Sequence, residues 1–329
     1  MILARAPLRI SIGGGGTDLP SYYSQYGGFI LSAGINKYVT LLLNRPAADS
    51  LLRIKYSKYE QVERAEDIQH DLVRPALQLL NVSGSLEIVS MADVPDGTGL
   101  GSSGSYLVAL LTALYELRRE KVPTQALAET ACHIEMNLAG HPVGKHDQYI
   151  AAFGGLTKLE INTDGKVQVS PLDISVSTVE QLRAGTLLYY TGMRRRSGEI
   201  LGEQKLGTET GDGQMLESLH RTKDIGRQIT TALENGDLDR YGTLLHEHWE
   251  NKKRRSAKIS AGQIDAWYDT ARRSGASGGK IMGAGGGGFL MLFMPPEAKP
   301  RVRAAMKDTG LKEMPFDFDF EGAKVLVNF

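Results

Sequence analysis

The chain has 329 residues, enough for one large domain or two of ordinary size, and its 38 basic residues balance its 38 acidic ones, so no overall charge draws it to nucleic acid or to an anionic membrane. Its single cysteine, Cys132, excludes an internal disulfide, its N-terminal segment lacks the features of a signal peptide, and no apolar stretch approaches the roughly 20 residues that span a bilayer. We therefore expect a cytoplasmic protein without nucleic-acid or membrane partners, in which any anionic ligand is captured by local features.

The predicted elements of the first half alternate between short strands and helices. Runs rich in β-branched and apolar residues predict strands, and apolar positions at helical spacing predict helices. The predicted strands are Ile2–Ile12, Lys37–Asn44, Leu51–Ser57 and Ser85–Ala92, followed by a hairpin of Gly155–Ile161 and Lys166–Leu172. The predicted helices are Asp67–Leu80, Ser103–Arg119 and Pro123–Asn137, the last with Thr124 as its cap.

The second half begins with a predicted strand, Thr186–Gly192, and is richer in helices. Helical spacing predicts helices over Gly213–Leu233, Asp237–Lys253, Ala261–Arg273 and Glu297–Lys307. The segment "GGKIMGAGGGGFLMLFMPP" reads as strand, glycine loop and strand, and Ala323–Phe329 is a final strand. A polar stretch near residue 180 without a clear element suggests a boundary between domains 1–180 and 181–329.

The loop "PDGTGLGSSGS" (Pro95–Ser105) stands directly before an apolar helix. The first N–H groups of a helix lack intrahelical acceptors and carry partial positive charge, and the glycines let this backbone approach a ligand. Hydroxyls of the serines can bind phosphate oxygens or Mg²⁺, or can simply cap the helix. We favour a phosphate cradle of Gly97, Gly99, Leu100, Gly101, Ser102, Ser103, Gly104 and Ser105. No Lys-Ser or Lys-Thr pair follows, so it is not a P-loop.

Two further glycine clusters are candidates for ligand contact. "GAGGGGF" (Gly283–Phe289) contains a G-x-G-x-x-G pattern, but a predicted strand follows it where a dinucleotide site needs a helix. It is therefore either a ligand-contacting loop or a tight hairpin, and we favour contact through Gly285, Gly286 and Gly287. In "RISIGGGGTDLPSYY" (Arg9–Tyr23), Asp18 can accept hydrogen bonds from hydroxyl groups or cap a helix.

Acidic and basic residues offer catalytic and anion-binding chemistry. Glu135 and Asp147 can ligate Mg²⁺ or accept the proton of an attacking hydroxyl, although most carboxylates are only solvated. Two basic runs, Arg194–Arg196 and Lys252–Arg255, are either solvated helix faces or a second anion site. The "HEHWE" segment (His246–Glu250) more simply reflects helix packing than metal binding, and Cys132 is more simply a buried helix residue.

"PDGTGLGSSGS", "APLRISIGGGGTD" and "KIMGAGGGGF" resemble the three motifs of the GHMP kinases, the superfamily of galactokinase, homoserine kinase, mevalonate kinase and phosphomevalonate kinase. The motifs agree in order and spacing, and the resemblance covers nearly the whole chain. "IGGGGTDLPSYY", "GKHDQYIAAFGG", "LHEHWENKKRRS" and "SGGKIMGAGGGG" are most similar to the D-glycero-D-manno-heptose 7-phosphate kinases. The fold implied is a two-domain α+β architecture, a ribosomal protein S5 domain 2-like N-terminal domain and a ferredoxin-like C-terminal domain, with the active site between them.

The resemblance also implies roles for individual residues. Asp147 matches the catalytic base, and Arg9 matches a basic residue that orients it. Ser103 and Glu135 match the Mg²⁺ ligands. Acceptor-binding positions are Gly15, Gly16, Thr17 and Asp18, where Gly15 and Gly16 replace the Glu and His of galactokinases and so argue against galactose.

The expected reaction uses ATP and Mg²⁺ to phosphorylate the anomeric hydroxyl of a heptose 7-phosphate, a step toward nucleotide-activated heptose. A kinase for an unphosphorylated sugar such as fucose is the alternative within the fold. A non-catalytic sensor on the same scaffold would be expected to lack Asp147 or the Mg²⁺ ligands, all of which this chain has. Whether the protein forms a homodimer is left open.

Overall fold

A computed structural model of the chain describes residues 1–193, 197–260 and 262–329. The strands are β1 (Ile2–Gly14), β2 (Gly28–Asn44), β3 (Leu52–Lys55), β4 (Tyr59–Val62), β5 (Leu86–Ala92), β6 (Leu156–Ile161), β7 (Val167–Pro171), β8 (Thr186–Tyr190), β9 (Gly278–Ile281), β10 (Phe289–Phe293), β11 (Lys312–Glu313) and β12 (Lys324–Asn328). The helices are α1 (Pro20–Tyr26), α2 (Val73–Leu79), α3 (Ser102–Leu117), α4 (Thr124–Cys132), α5 (His146–Phe153), α6 (Val176–Gly185), α7 (Ser197–Glu209), α8 (Gly213–Glu234), α9 (Leu238–Lys253), α10 (Gly262–Arg273) and α11 (Lys299–Met306). None of the helices in these ranges is long and apolar enough to cross a membrane.

The 17-residue strand β2 organises an eight-stranded sheet. β1 pairs with it along one edge, while β6 and β5 share its other edge. Both faces of β2 are covered, because Ile30 packs into a core with α3 whereas Phe29 and Leu31 pack into a core with α8 and α9. Cover on both faces explains why the first eight residues of the strand, 28–35, are all buried.

The second sheet has four antiparallel strands in the order β11-β8-β10-β9. Every residue of β9 and β10 is buried, and the core beside them contains Trp249 of α9 together with Trp267 and Tyr268 of α10. α9 contacts β9 and also reaches β1 of the first sheet. It therefore lies where the two sheets approach each other.

The structure bears on two of the sequence predictions. Residue 180 lies inside α6, and the last strand, β12, returns to pair antiparallel with β1, so the proposed ranges 1–180 and 181–329 do not coincide with the two sheets. The helix predicted over Pro123–Asn137 is α4 followed by a π-helical segment, His133–Leu138, and Pro123 occupies the N-cap position expected for Thr124. The division at residue 180 remains a prediction.

Candidate active site

The three glycine clusters meet at one cavity of about 1150 Å³. Its lining includes Gly14, Gly15 and Gly16 from the end of β1, Gly97, Gly99, Gly101, Ser102 and Ser103 from the start of α3, and Gly283 and Ala284 from the loop between β9 and β10. Arg9, Asp18, Glu135 and Asp147 line the same cavity. Residues predicted from separate motifs are thus brought together by the fold.

Two of these loops pack directly against each other, backbone against backbone. A Cβ on Gly99 would lie 2.6 Å from the carbonyl oxygen of Met282, and a Cβ on Gly283 would lie 2.6 Å from Cα of Gly99. Both glycines also have positive φ angles, 80° and 65°. Part of the glycine content therefore serves the close approach of two loops rather than the approach of a ligand.

The start of α3 is left free for a ligand. Gly101 is its N-cap, in a left-handed conformation, and no side chain caps the helix. Ser102 Oγ is buried without a hydrogen-bond partner, and Ser103 is exposed to the cavity. A loop designed only to cap the helix would use one of these hydroxyls on the backbone. The geometry favours the phosphate cradle over the simple cap.

Arg9 and Asp147 form a fixed ion pair at the base of the cradle. Nη2 of Arg9 lies 2.6 Å from Oδ1 of Asp147, its Nε donates to the same oxygen at 2.8 Å, and its Nη1 donates to the carbonyl oxygen of Gly99 at 2.6 Å. Cβ atoms on Gly101 and Gly104 would lie 3.1 Å from Cγ and 2.7 Å from Cβ of Asp147. These two glycines therefore make room for the carboxylate beside the helix start.

Asp18 is a buried carboxylate near the partly buried Asp147. Its Oδ2 accepts a hydrogen bond from the backbone N–H of His146 at 3.2 Å and lies against Gly144, where any side chain would collide with it. Burial raises the pKa of Asp18 above its usual value, and the negative charge of Asp147 raises it further. His146 donates or accepts a hydrogen bond with Ser32 Oγ at 2.8 Å, and burial keeps the pKa of its ring well below the usual range.

The oxygen donors proposed for a metal lie in the same cavity. Glu135, 1% exposed, sits on the π-helical segment, accepts a hydrogen bond from Gln148 Nε2 at 2.7 Å, and lies 3.6 Å from His141 Nδ1. Hard oxygen ligands such as Glu135 and a serine hydroxyl suit Mg²⁺, which takes few protein ligands and completes its shell with phosphates and water. Within the described residues no group of three His, Cys, Asp or Glu could hold a metal alone. Glu135 and a serine hydroxyl therefore suit an Mg²⁺ ion that binds together with a nucleotide.

Other predicted contact residues have side chains that lie behind the cavity wall or backbone that packs on neighbouring loops, and their roles in ligand binding stay predictions. Ser105 Oγ donates to the carbonyl oxygen of Pro7 at 2.7 Å, and Thr17 Oγ1 donates to that of Phe29 at 2.9 Å. Leu100 belongs to the apolar core, and Gly104 faces Asp147. Gly285, Gly286 and Gly287 pack on Ile259 and Met193, so Gly283 and Ala284 are the cavity-facing residues of that loop.

The basic run on α9 divides into two inward and two outward residues. Lys252 is buried, Arg255 is partly buried, and both line the cavity. Lys253 pairs with Glu250 at 2.9 Å, and Arg254 lies 3.8 Å from Glu217, both at the surface. Lys280 of β9, which the sequence patterns did not single out, and His248 of α9, from the "HEHWE" segment, also line the cavity. The other run, Arg194–Arg196, lies outside the described residues.

Aromatic side chains line a further part of the cavity, and no sequence motif pointed to them. The rings of His70 and Tyr106 stack with centroids 4.9 Å apart, and Tyr56 meets His70 edge-on at 4.7 Å. Flat aromatic surfaces of this kind can stack on a nucleobase.

Comparison with known proteins now decides the family. The models of the GHMP kinase N-terminal and C-terminal domains match residues 48–155 and 229–312. A D-glycero-alpha-D-manno-heptose 7-phosphate kinase of Campylobacter jejuni is 32% identical, over 98% of this chain and 98% of its own. The chain belongs to the GHMP kinases. It is thus an ATP-dependent sugar kinase with the two-domain fold of that family.

Two other comparisons bear on the substrate. The crystal structure of a D-glycero-D-manno-heptose 1-phosphate kinase from Bacteroides thetaiotaomicron superposes with a TM-score of 0.83, at 27% identity, over 100% of both chains. A bifunctional fucokinase/GDP-fucose pyrophosphorylase of Arabidopsis thaliana is 24% identical over 92% of this GHMP kinase and 31% of its own length. The two heptose kinases are named for phosphates at opposite ends of the sugar.

Proposed function

We propose that this GHMP kinase transfers the γ-phosphoryl group of ATP to the anomeric C1 hydroxyl of D-glycero-D-manno-heptose 7-phosphate and releases the 1,7-bisphosphate. The observation that carries the proposal is the Asp147 carboxylate, fixed by Arg9 within the cavity beside the uncapped start of α3. The similarity to a heptose 7-phosphate kinase over nearly the whole chain supports the choice of sugar.

Phosphoryl transfer depends mainly on positioning and on charge stabilisation. Asp147 accepts the proton of the C1 hydroxyl and holds that oxygen in line with the γ-phosphorus. Arg9 fixes the carboxylate and offsets charge that develops during transfer. The anomeric hydroxyl is more acidic than an ordinary alcohol, which lowers the demand on the base. Asp18 is placed to accept hydrogen bonds from other sugar hydroxyls.

Backbone N–H groups at the start of α3 are proposed to hold the polyphosphate, because the helix end offers unsatisfied donors and partial positive charge. Ser103 and Glu135 would hold Mg²⁺, which when bound neutralises phosphate charge. The stack of His70 and Tyr106 is suited to the adenine base.

A kinase for free fucose is the second candidate, since a fucokinase is among the relatives. It would leave the cavity-lining cations Lys252, Arg255 and Lys280 without an anionic partner, and for this reason we place it second.

The test is an ADP-release screen of heptose 7-phosphate, heptose 1-phosphate, unphosphorylated heptose and fucose, followed by phosphorus NMR of the product. We expect heptose 7-phosphate to give the highest kcat/KM and a new phosphate signal coupled to the anomeric proton. A preference for fucose, or a new phosphate at any carbon other than C1, would contradict the proposal.

A further inference from the structure

One end of the cavity concentrates positive charge. Lys252, Arg255 and Lys280, which we call the cationic cluster, all line the cavity; Lys252 and Lys280 are buried, and Arg255 is partly buried. Lys252 Nζ donates to the carbonyl oxygens of Ile281 at 3.0 Å and Gly283 at 2.6 Å, and Lys280 Nζ donates to Ser11 Oγ at 3.3 Å. Among the described residues no carboxylate pairs with any of the three cations. Buried charges without a counter-ion are costly, so an anionic ligand would stabilise the charged form of the cluster.

The guanidinium of Arg255 is anchored on one side and open on the other. Its Nε donates to Ser218 Oγ at 3.0 Å, and Nη2 donates to Thr222 Oγ1. Nη1 makes no hydrogen bond to any described residue and faces the glycine loop, where a Cβ on Gly16 would lie 3.0 Å from it. Gly16 thus leaves room for a ligand oxygen beside Nη1.

The spacing of residues along strand β1 gives the distance between the cationic cluster and Asp147. Arg9, which holds Asp147, and Ser11, which binds Lys280, are two residues apart in a regular part of the β1–β2 ladder. Alternate residues of a strand face the same side, about 6.5 to 7 Å apart. The cluster therefore begins one such step beyond the reacting end, and Arg255 lies further along, at Gly16.

We propose that Lys252, Arg255 and Lys280 bind the phosphate that the sugar substrate already carries, and that they select a sugar phosphate over a free sugar. This inference rests on the proposed function, in which C1 reacts at Asp147 while the 7-phosphate lies at the far end of the same molecule. Two ammonium groups and one guanidinium provide several donors to a phosphate dianion, as phosphate sites usually do. Mutual repulsion within the cluster is relieved when the anion binds.

Repulsion and burial both lower the pKa values of the two lysines in the cluster. Burial, with the charges of Arg255 and Arg9, lowers the pKa of Lys252 to about 7. Burial, with the charges of Lys252, Arg9 and Arg255, holds the pKa of Lys280 well below its usual value. Both shifts mean that the empty site disfavours the positive charge that a bound phosphate would restore.

The test compares Arg255→Gln and Lys280→Met with the wild-type enzyme and with Arg254→Gln. Arg254 is the matched control, because it neighbours Arg255 in sequence but is exposed and lies by Glu217. For both cluster variants we expect KM for heptose 7-phosphate to rise roughly 10- to 100-fold, as for loss of a charge-assisted hydrogen bond. KM for ATP and kcat/KM for unphosphorylated heptose should stay within about twofold of wild type, and Arg254→Gln should behave as wild type throughout.

Each other outcome is informative. An equal loss with both sugars would mean a structural role for the cluster, and a rise in KM for ATP alone would assign it to the nucleotide; either result overturns the inference. Arg255→Lys should recover part of the preference for the phosphorylated sugar, because a cation is restored. If the wild-type enzyme prefers the unphosphorylated sugar, the proposed function fails. If it prefers the sugar phosphate and the cluster variants keep that preference, only the inference fails.

Discussion

The two ends of the cavity differ in whether their positive charges have a carboxylate partner. At the reacting end, Arg9 is paired with Asp147 at 2.6 Å, and the geometry of both side chains is fixed before any ligand arrives. At the cationic cluster, Lys252 and Lys280 bind only neutral oxygens. An ion pair within a site preorganises a reacting group, whereas unpaired buried cations select a ligand that brings the missing charge. Under the proposed function, chemistry belongs to one end of the cavity and specificity to the other.

The largest effect should come from removing the base. Asp147→Asn keeps the shape of the side chain and loses its ability to accept a proton, so kcat should fall about 10²- to 10⁴-fold. KM for heptose 7-phosphate should change little, because the cationic cluster is untouched. Steady-state kinetics with both substrates checks this, with the melting temperature as a control for folding. Near-normal turnover would remove Asp147 from the chemistry.

A smaller loss is expected when Asp147 is displaced rather than replaced. In Gly104→Ala the new Cβ would lie 2.7 Å from Cβ and 3.0 Å from the carbonyl carbon of Asp147, so the carboxylate must shift. Misplacement by about 1 Å can cost on the order of 10²-fold in rate. The matched control is Gly202→Ala in α7, where the added methyl group meets nothing within 4 Å. We expect kcat to fall in the first variant only, and equal kinetics in the two would refute the positioning role.

The residues that line the reacting end could be singled out from the sequence because their signals are local, while their roles stay predictions. Arg9, Asp18, Glu135, Asp147 and the glycine loops stand in short motifs, and the fold brings them to one cavity. The roles of single glycines were less predictable. Gly101 and Gly104 make room for Asp147, and Gly99 for the loop at Gly283, contacts that depend on tertiary packing across more than forty residues of chain.

Only part of the cationic cluster could be predicted from the sequence. The run Lys252–Arg255 was noticed, but which of its residues point inward depends on how α9 is turned against β9. Lys280 is a lone cation in the short strand β9, a pattern that gives no sign of a ligand. The first half of β2 was missed for a related reason: its small and polar residues dilute a strand signal that only the pairing with β1 and β6 explains.

The pH dependence should differ between the two sugars. With a pKa of about 7, Lys252 is positively charged below that pH and neutral above it. For heptose 7-phosphate, kcat/KM should therefore fall as the pH rises above 7, by at most about tenfold for each pH unit. The groups that share this environment are Arg9, Arg255, Lys280 and His248, and burial keeps His248 neutral. With unphosphorylated heptose, kcat/KM should not show this fall above pH 7. In Lys252→Met the fall should be absent with either sugar. A falling limb common to both sugars would point to the reacting end instead.

The smallest expected effect is a rise in Tm on binding of inorganic phosphate, which tests the cationic cluster without any catalytic measurement. Inorganic phosphate that binds the folded cluster should stabilise the protein in proportion to the logarithm of its concentration, which for a chain of this size amounts to a few degrees in Tm. Arg255→Gln should lose most of that increment, whereas Asp147→Asn should keep it, because Asp147 offers no positive charge to an anion. Sodium chloride at equal ionic strength controls for general screening of surface charge. If phosphate raised the Tm of Arg255→Gln as much as that of the wild-type protein, the anion would be bound elsewhere, for example at the start of α3, and the division between the two ends of the cavity would no longer hold.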